Sequence, residues 1–132
     1  MLHANRIPGR FYNGVLLVSV DLNGSVFKFV VDSGATYCAI SRKLLDKFVA
    51  EPADLKISIA PVGKEPVFAS TLNIENFIVG GIRQKNVLTS IVDFPPNLQI
   101  DGLLGMDFMG KYRITIEPDT RTLVLRQIPK KK

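Results

Sequence analysis

The amino-acid sequence predicts a mostly β, barrel-like domain with one or two short helices. Short runs rich in Val, Ile, Leu and Phe alternate with closely spaced turn signals, and helical patterns are few and brief. The length of 132 residues fits a single domain spanning 1–132. We expect its core at about 14–125, with end segments that are flexible or form contacts in a dimer.

The first predicted element is a hairpin over residues 15–31. Two β-rich runs, VLLVSVDL and SVFKFVV, flank Asn23-Gly24, a dipeptide that favours a two-residue hairpin turn. The second run leads directly into Asp32. Gly34 follows closely and permits the chain to turn tightly there. The sequence therefore predicts a carboxylate held at the end of an apolar strand.

A short helix is predicted next, over residues 41–49. Ser41 is a suitable N-cap residue, and the segment EPADL ends the helical pattern. The apolar side chains that would share one face of this helix are Leu44, Leu45, Phe48 and Val49.

Two further hairpins are predicted in the middle of the chain. The first covers 55–72, with a tip at 61–66 that contains two prolines and a glycine. Prolines favour edges and loops over central strands, so this hairpin is expected to project from the body. The second covers 72–92 and turns at Gly80-Gly81.

The last part of the chain repeats an order already met. After a loop at 93–97, a short apolar strand within 98–112 leads into a helical turn, and two final strands flank Pro118-Asp119. The same order of elements thus occurs twice: a hairpin, an apolar strand, an Asp/Gly turn and a short helix. This repetition indicates a diverged internal duplication.

Composition excludes several classes of function. Cys38 and His3 are the only cysteine and histidine, so no intrachain disulfide and no usual zinc site are expected, and we predict no metal and no other cofactor. A single cysteine favours a reducing, intracellular location. The net charge is +5, but the basic residues are scattered, and no nucleic acid partner is expected. No apolar run reaches a membrane span of about 20 residues.

Asp32 has two interpretations. The carboxylate either caps a turn, which is common for Asp-Ser-Gly, or it performs acid–base chemistry on water. Two carboxylates that share a proton suit the second role better than one. In such a pair one group serves as the base while the other serves as the acid.

Three features together resemble the retropepsin-like aspartic proteases of the single-domain, cellular or bacterial type. They are FVVDSGA at 29–35, the hairpin tip around Gly63, and DGLLGMDF at 101–108. The resemblance covers roughly 14–125 and implies the closed β-barrel of the acid protease fold.

The resemblance also assigns roles to residues. It implies that Asp32 is catalytic and that two signatures support its turn. The supporting residues are Ser33, Gly34, Ala35, Leu103, Leu104 and Gly105. It further implies that the hairpin tip is a flap over the substrate, built from Val62, Gly63 and Lys64.

The second carboxylate of the pair is not obvious in the chain. Asp101 occupies the duplicated position, but the resembling family uses that turn structurally, and Asp107 and Asp119 lie in helix and turn contexts. A two-fold homodimer would instead bring Asp32 from each chain together. The terminal segments RTLVLRQI and RFYNG are candidates for strands that pair between the subunits.

The predicted function is that of an aspartic endopeptidase acting on peptide or protein substrates. Ala35 lacks the hydroxyl that pepsin-type enzymes usually carry there, so we expect a less acidic activity optimum than theirs. The alternative is a catalytically silent module on the same fold that binds peptides or dimerises. A two-carboxylate glycosidase is disfavoured because aromatic residues make up only 8% of the chain and Trp is absent.

Overall fold

A computed structural model of the chain describes residues 3–59 and 65–129. Strands dominate these residues, so the predicted all-β class is confirmed. The strands are β1 (Ala4–Pro8), β2 (Arg10–Tyr12), β3 (Val15–Leu22), β4 (Ser25–Val31), β5 (Ala39–Ser41), β6 (Glu51–Ile59), β7 (Val67–Val79), β8 (Ile82–Val92), β9 (Gly102–Leu104), β10 (Tyr112–Glu117) and β11 (Thr122–Gln127). A 3-10 helix covers Arg42–Leu44, and an α-helix, α1, covers Met106–Met109. Neither helix, nor any other in the described ranges, has the length and apolarity needed to cross a membrane.

The strands form two sheets. The larger has the order β2-β3-β4-β9-β5-β8-β7-β6, and the smaller has the order β1-β11-β10. An additional antiparallel pairing of β3 with β7 links two strands that are separated in the larger sheet. The hydrogen-bonded path from β3 through β4, β9, β5, β8 and β7 therefore returns to β3.

The arrangement of the larger sheet agrees with the predicted duplication. β4 of the first half pairs in parallel with β9 of the second, and β5 of the first half pairs in parallel with β8 of the second. Each half thus contributes a short strand to the other half's hairpin. Strands far apart in the chain become neighbours in this way, close to Asp32.

The Asn23-Gly24 hairpin forms as predicted between β3 and β4. Asn23 has φ of 52° and Gly24 has φ of 101°, the left-handed pair that a two-residue turn of this kind requires. The Asn23 side chain also donates to the Val49 carbonyl at 2.7 Å and accepts from the Asn76 N–H at 2.8 Å. The turn is therefore fixed both by its backbone preference and by its neighbours.

The core contains a chain of three buried aromatic rings. Phe29 and Phe77 meet edge to face with centroids 6.0 Å apart, and Phe77 and Phe108 lie 5.1 Å apart. Leu123 and Leu125 of the smaller sheet belong to the same buried cluster. Phe29 lies on β4 and Phe108 on α1, so the core directly supports the elements that flank Asp32.

The predicted helix over 41–49 is wrong in length and in its apolar face. Only the 3-10 turn Arg42–Leu44 forms, although Ser41 does accept from the Lys43 N–H at 3.3 Å as its cap. Leu44 is buried, whereas Val49 is 86% exposed. A single helical turn can bury only one of these apolar side chains, and after that turn the chain leaves the helix and enters β6.

Two strand assignments also differ from expectation. β1 was not predicted, because its sequence ANRIP contains a proline and only one buried side chain. It pairs with one edge of β11, and β10 pairs with the other edge. The prediction that RTLVLRQI pairs between subunits is therefore wrong, since both edges of β11 are occupied within the chain. β2 lies at the end of the larger sheet, and its pairing between subunits stays a prediction.

Candidate active site

β4 delivers Asp32 to the carboxyl end of the strand, beside β9. Val31 is paired with Leu104 in the parallel register, and the Asp32 N–H donates to the Leu104 carbonyl at 3.0 Å. The second signature thus anchors the backbone of the predicted catalytic residue. The Asp32 side chain is half-buried and remains accessible to solvent.

The turn after Asp32 is held by its own backbone groups. The Gly34 N–H donates to Asp32 Oδ1 at 2.9 Å, and the Ala35 N–H donates to the Asp32 carbonyl at 3.2 Å. The first bond orients the carboxylate. Ser33 and Gly34 are exposed, so the apex of the turn faces outward.

The apolar signature Leu103–Gly105 lies beside this turn, and its role in supporting a catalytic Asp32 stays a prediction. Leu104 is completely buried, and Leu103 is half-buried. A Cβ atom on Gly105 would lie 2.6 Å from the Tyr37 carbonyl oxygen and 2.9 Å from that of Ala35. Only glycine leaves room for such close approach of two backbones. The supporting residues predicted from the sequence therefore lie together around Asp32.

Two more backbone bonds join the segments that carry the two signatures. The Met106 N–H donates to the Ala35 carbonyl at 2.8 Å, and the Asp107 N–H donates to the Thr36 carbonyl at 3.0 Å. These are the first amides of α1, which would otherwise lack partners at a helix start. The turn thus caps the short helix while the helix fixes the turn.

The other candidate carboxylates have different surroundings. Asp101 Oδ2 accepts from the Lys28 N–H at 2.9 Å, and the Asp101 N–H donates to the Lys28 carbonyl at 3.0 Å. Asp101 therefore extends the contact between β4 and the segment before β9, which is a structural role. Asp119 is exposed in the turn between β10 and β11. Among the described residues, no carboxylate is hydrogen-bonded to the Asp32 side chain.

One polar cluster beside the site was not predicted. Asp107 Oδ1 accepts from both the N–H of Cys38, at 2.9 Å, and its thiol, at 3.0 Å. Burial, and then the nearby Asp107 carboxylate, raise the pKa of the Cys38 thiol well above its usual range. No local sequence signal connects these residues, because they are distant in the chain and meet only when α1 packs on the turn.

The predicted flap belongs to a hairpin that does form. β6 and β7 pair antiparallel with Ile59 opposite Val67 and Ser58 opposite Phe68. The predicted apex residues Val62, Gly63 and Lys64 lie outside the described residues. Near the base of the apex, Phe68 is 77% exposed, which places a large apolar side chain in solvent on this hairpin.

No cluster of three or more His, Cys, Asp or Glu side chains suited to a metal ion occurs within the described ranges. Within the part of the chain that the structure describes, the Asp32 turn presents a half-buried carboxylate, the exposed Ser33 hydroxyl and backbone amides. Such groups can bind and polarise water, and a second carboxylate would complete an acid–base pair.

The fold, the anchored aspartate and the second signature with its close-packed glycine are typical of the aspartyl protease class. Residues 18–108 match the family model described as Aspartyl protease, and the chain belongs to this family. A search of curated proteins gave no match.

Solved structures show the same fold. The chain is similar to a retropepsin-like aspartic protease from Rickettsia conorii, with 21% identity over 96% of this chain and 92% of that one, at a TM-score of 0.66. It is also similar to the retroviral protease-like domain of Ddi1 from Leishmania major, with 17% identity over 87% and 94% and a TM-score of 0.50. The retropepsin-like resemblance predicted from the sequence is confirmed.

Proposed function

We propose that the chain is an aspartic endopeptidase whose active site contains Asp32 from two copies. The main support for this proposal is the way in which hydrogen bonds hold Asp32. Its backbone is bonded to Leu104, its carboxylate accepts the Gly34 N–H, and its turn is exposed at the apex. These contacts fix the direction of the carboxylate and leave it open to solvent, as acid–base chemistry on water requires.

The proposed chemistry is hydrolysis without a covalent intermediate. One Asp32 carboxylate takes a proton from a water molecule, which attacks the scissile carbonyl carbon. The other, protonated, donates its proton to the carbonyl oxygen, which gives a tetrahedral diol. The C–N bond then breaks as the first carboxyl gives the proton it took from water to the amine nitrogen, and the second carboxylate recovers a proton from a hydroxyl of the diol. The pair shares one proton between two acids, so it acts as base and acid at once.

The dimer follows from the single motif in the chain. Asp101 binds the Lys28 amide and Asp107 binds Cys38, so neither carboxylate serves as the partner of Asp32 in this proposal. The exposed Ser33 hydroxyl is suited to bond to the matching turn of the second copy. A free, buried Cys38 thiol suits a reducing, intracellular location, which stays a prediction.

The proposed substrate is an extended peptide held under the β6–β7 hairpin. An extended chain offers backbone groups at regular spacing, and a β-hairpin can bond to them along its edge. Closure of the hairpin would exclude bulk water from the reaction. The roles of Val62, Gly63 and Lys64 at its apex stay predictions.

The decisive experiment is the replacement of Asp32 by Asn. Asp32→Asn keeps the size of the side chain and an oxygen that can accept the Gly34 N–H, but it removes the acid. We expect cleavage of a fluorogenic peptide library to fall to background from acidic to neutral pH, with the circular dichroism spectrum unchanged. Asp46→Asn, at an exposed turn position, removes the same charge and should retain activity. Cleavage by Asp32→Asn at the wild-type rate would refute the proposal.

The silent-module alternative predicts a different result. Wild-type protein would then bind labelled peptides without turnover at any pH. The expectation of a less acidic optimum than that of pepsin-type enzymes is checked by the same pH series.

A further inference from the structure

Asp107 holds Cys38 through two hydrogen bonds to one oxygen. Asp107 Oδ1 accepts the Cys38 backbone N–H at 2.9 Å and the Cys38 thiol at 3.0 Å. In return, the Gly105 N–H donates to Cys38 Sγ at 3.4 Å. These contacts join Gly105 and Asp107, at the end of the apolar signature and just after it, to Cys38. Cys38 is the residue at which the Asp32 turn returns to the sheet.

The segment 32–38 is therefore attached at its start, its middle and its end. Its first residue is bonded to Leu104, and its middle carbonyls are bonded to the amides of α1. These bonds use backbone atoms, which almost any sequence supplies. The attachment at Cys38 is different, because its acceptor is a side chain that only particular residues provide.

Cys38 is also fixed from the opposite side. Its carbonyl accepts the Ser90 N–H at 2.9 Å and the Ser90 hydroxyl at 3.2 Å, which ties it to β8. The side chain of Cys38 is fully buried. Its N–H and S–H donors have no access to water, so removing their acceptor leaves buried groups unsatisfied. The chain would then shift to recover those bonds, and the displacement would pass to the Asp32 turn.

We propose that Asp107 is a positioning residue of the active site, which fixes the Asp32 turn through its side-chain bonds to Cys38. The catalytic consequence rests on the proposed peptidase function, whereas the restraint on the turn does not. A carboxylate that must meet its counterpart across a dimer has to be held to within about half an ångström. Loss of the restraint is therefore expected to slow chemistry more than it weakens substrate binding.

The test compares variants that remove the bonds with variants that retain them. Asp107→Ala removes both bonds to Cys38, whereas Cys38→Ala removes only the bonds of the thiol, because the backbone N–H at position 38 can still donate to Asp107. Asp107→Asn keeps an acceptor oxygen for the Cys38 N–H, and Cys38→Ser keeps a group that donates and accepts. We expect kcat to fall about 10- to 100-fold in Asp107→Ala, and by a smaller factor in Cys38→Ala, with KM changed less than about threefold in both. The two conservative variants should stay within about threefold of wild type in kcat.

A control separates positioning from general loss of stability. Leu22 is fully buried at the turn end of the β3–β4 hairpin, away from Asp32. Leu22→Ala should lower the unfolding midpoint at least as much as Asp107→Ala but leave kcat unchanged at temperatures below both midpoints. An equal loss of kcat in Leu22→Ala would show that Asp107→Ala lowers kcat only through lost stability, and it would overturn the proposal.

Hydrogen exchange gives a readout that does not need activity. Amides in 32–38 should exchange about tenfold faster or more in Asp107→Ala, faster by a smaller factor in Cys38→Ala, and at the wild-type rate in Leu22→Ala, under conditions where all three remain folded. If Asp107→Ala does not fold, Cys38→Ala, which loses the bonds of the thiol alone, carries the comparison through its smaller increase in exchange. Unchanged exchange in 32–38 overturns the positioning role even if Asp32 proves catalytic. Faster exchange supports the role even if wild-type protein cleaves nothing.

Discussion

The backbone N–H of Asp32 donates to the carbonyl oxygen of Leu104 at 3.0 Å, in continuation of the parallel pairing of β4 with β9. This bond joins the two sequence signatures into one unit. The position of the carboxylate consequently depends on residues far from it in the chain. Substitutions in the second signature are therefore expected to act on Asp32 without touching it.

Gly105→Ala is the sharpest test of that dependence. The added Cβ would lie 2.6 Å from the Tyr37 carbonyl oxygen and 2.9 Å from that of Ala35, and these are backbone atoms that cannot rotate away. We expect a loss of stability of about 1–3 kcal/mol and a marked loss of peptide cleavage. Urea unfolding and the peptide assay measure the two effects.

The matched control for this glycine is Gly81. A Cβ atom there would meet only the Asn5 side-chain amide at 3.1 Å, which can move. Gly81→Ala should therefore unfold within about 1 kcal/mol of wild type and cleave normally. Equal behaviour of the two variants would contradict the close-packing role of Gly105.

A mixing experiment tests whether the proposed site needs two chains. When Asp32→Asn exchanges subunits with a fixed amount of wild type, only dimers with two aspartates are expected to be active. Random assortment predicts that an equal amount of variant lowers activity to about half, and a ninefold excess lowers it to about a tenth. If activity is unchanged after verified subunit exchange, each chain carries a complete site.

Much of this site could be predicted from local sequence. The run FVV before Asp32 predicts a buried strand, and LLG predicts apolar support, and the structure brings both together. The Asp107–Cys38 contact could not be predicted, because a polar pair separated by most of the chain leaves no periodic or turn signal. Its existence depends on where α1 packs, which is a property of the whole fold.

The fold errors have a similar origin. The hairpins at Asn23-Gly24 and Gly80-Gly81 were predicted correctly from a two-residue turn signal between apolar runs, whereas the β2–β3 hairpin at Asn13-Gly14 was not predicted. β1 was missed because its strand is stabilised by pairing with β11 rather than by its own residues. The helix at 41–49 was overestimated because Val49, counted on its apolar face, is in fact solvent-exposed.

The Asn23 side chain should contribute more to stability than that of a comparable turn residue. Asn23 has a left-handed φ of 52° and bonds to both Val49 and Asn76. Asn13 has a similar φ of 49° in the turn between β2 and β3, and is exposed. We expect Asn23→Ala to lower the free energy of unfolding by about 2–3 kcal/mol, and Asn13→Ala by about 1 kcal/mol. Equal losses in urea titrations would assign the effect to backbone conformation alone.

The Arg6–Glu117 ion pair makes the smaller sheet sensitive to acid. Arg6 of β1 reaches Glu117 of β10 across β11 through two hydrogen bonds. The hydrogen bond from Arg6 lowers the pKa of Glu117, with a further contribution from Thr120. Because the pKa of Glu117 is lower in the folded than in the unfolded protein, the ion pair stabilises the fold at pH values above the ordinary carboxyl pKa. This stabilisation is lost as the pH falls through the lowered folded-state pKa.

Glu117→Gln checks this expectation. The unfolding midpoint of the variant should lie below that of wild type at neutral pH, and the two midpoints should converge in strong acid. Because both side chains are near solvent, the difference should be small and should shrink in high salt. A gap that persists unchanged in acid would show that the carboxylate charge is not its cause.

Cys38 predicts loss of stability at alkaline pH. Burial and the Asp107 carboxylate raise its thiol pKa in the folded protein, whereas the unfolded thiol titrates near its ordinary value of about 8.5. Because the thiol pKa is higher in the folded protein, the contribution of the thiol to stability is fully present below the unfolded-state pKa. That contribution is lost as the pH rises toward the folded-state pKa. Above about pH 8.5 the unfolded chain releases a proton that the folded chain keeps, and the free energy of unfolding falls by up to about 1.4 kcal/mol per pH unit. Cys38→Ser has no group that titrates in this window, so its unfolding free energy should decline less steeply there. Parallel curves for the two proteins in urea titrations between neutral pH and about pH 10 would contradict a buried, protonated thiol at this position.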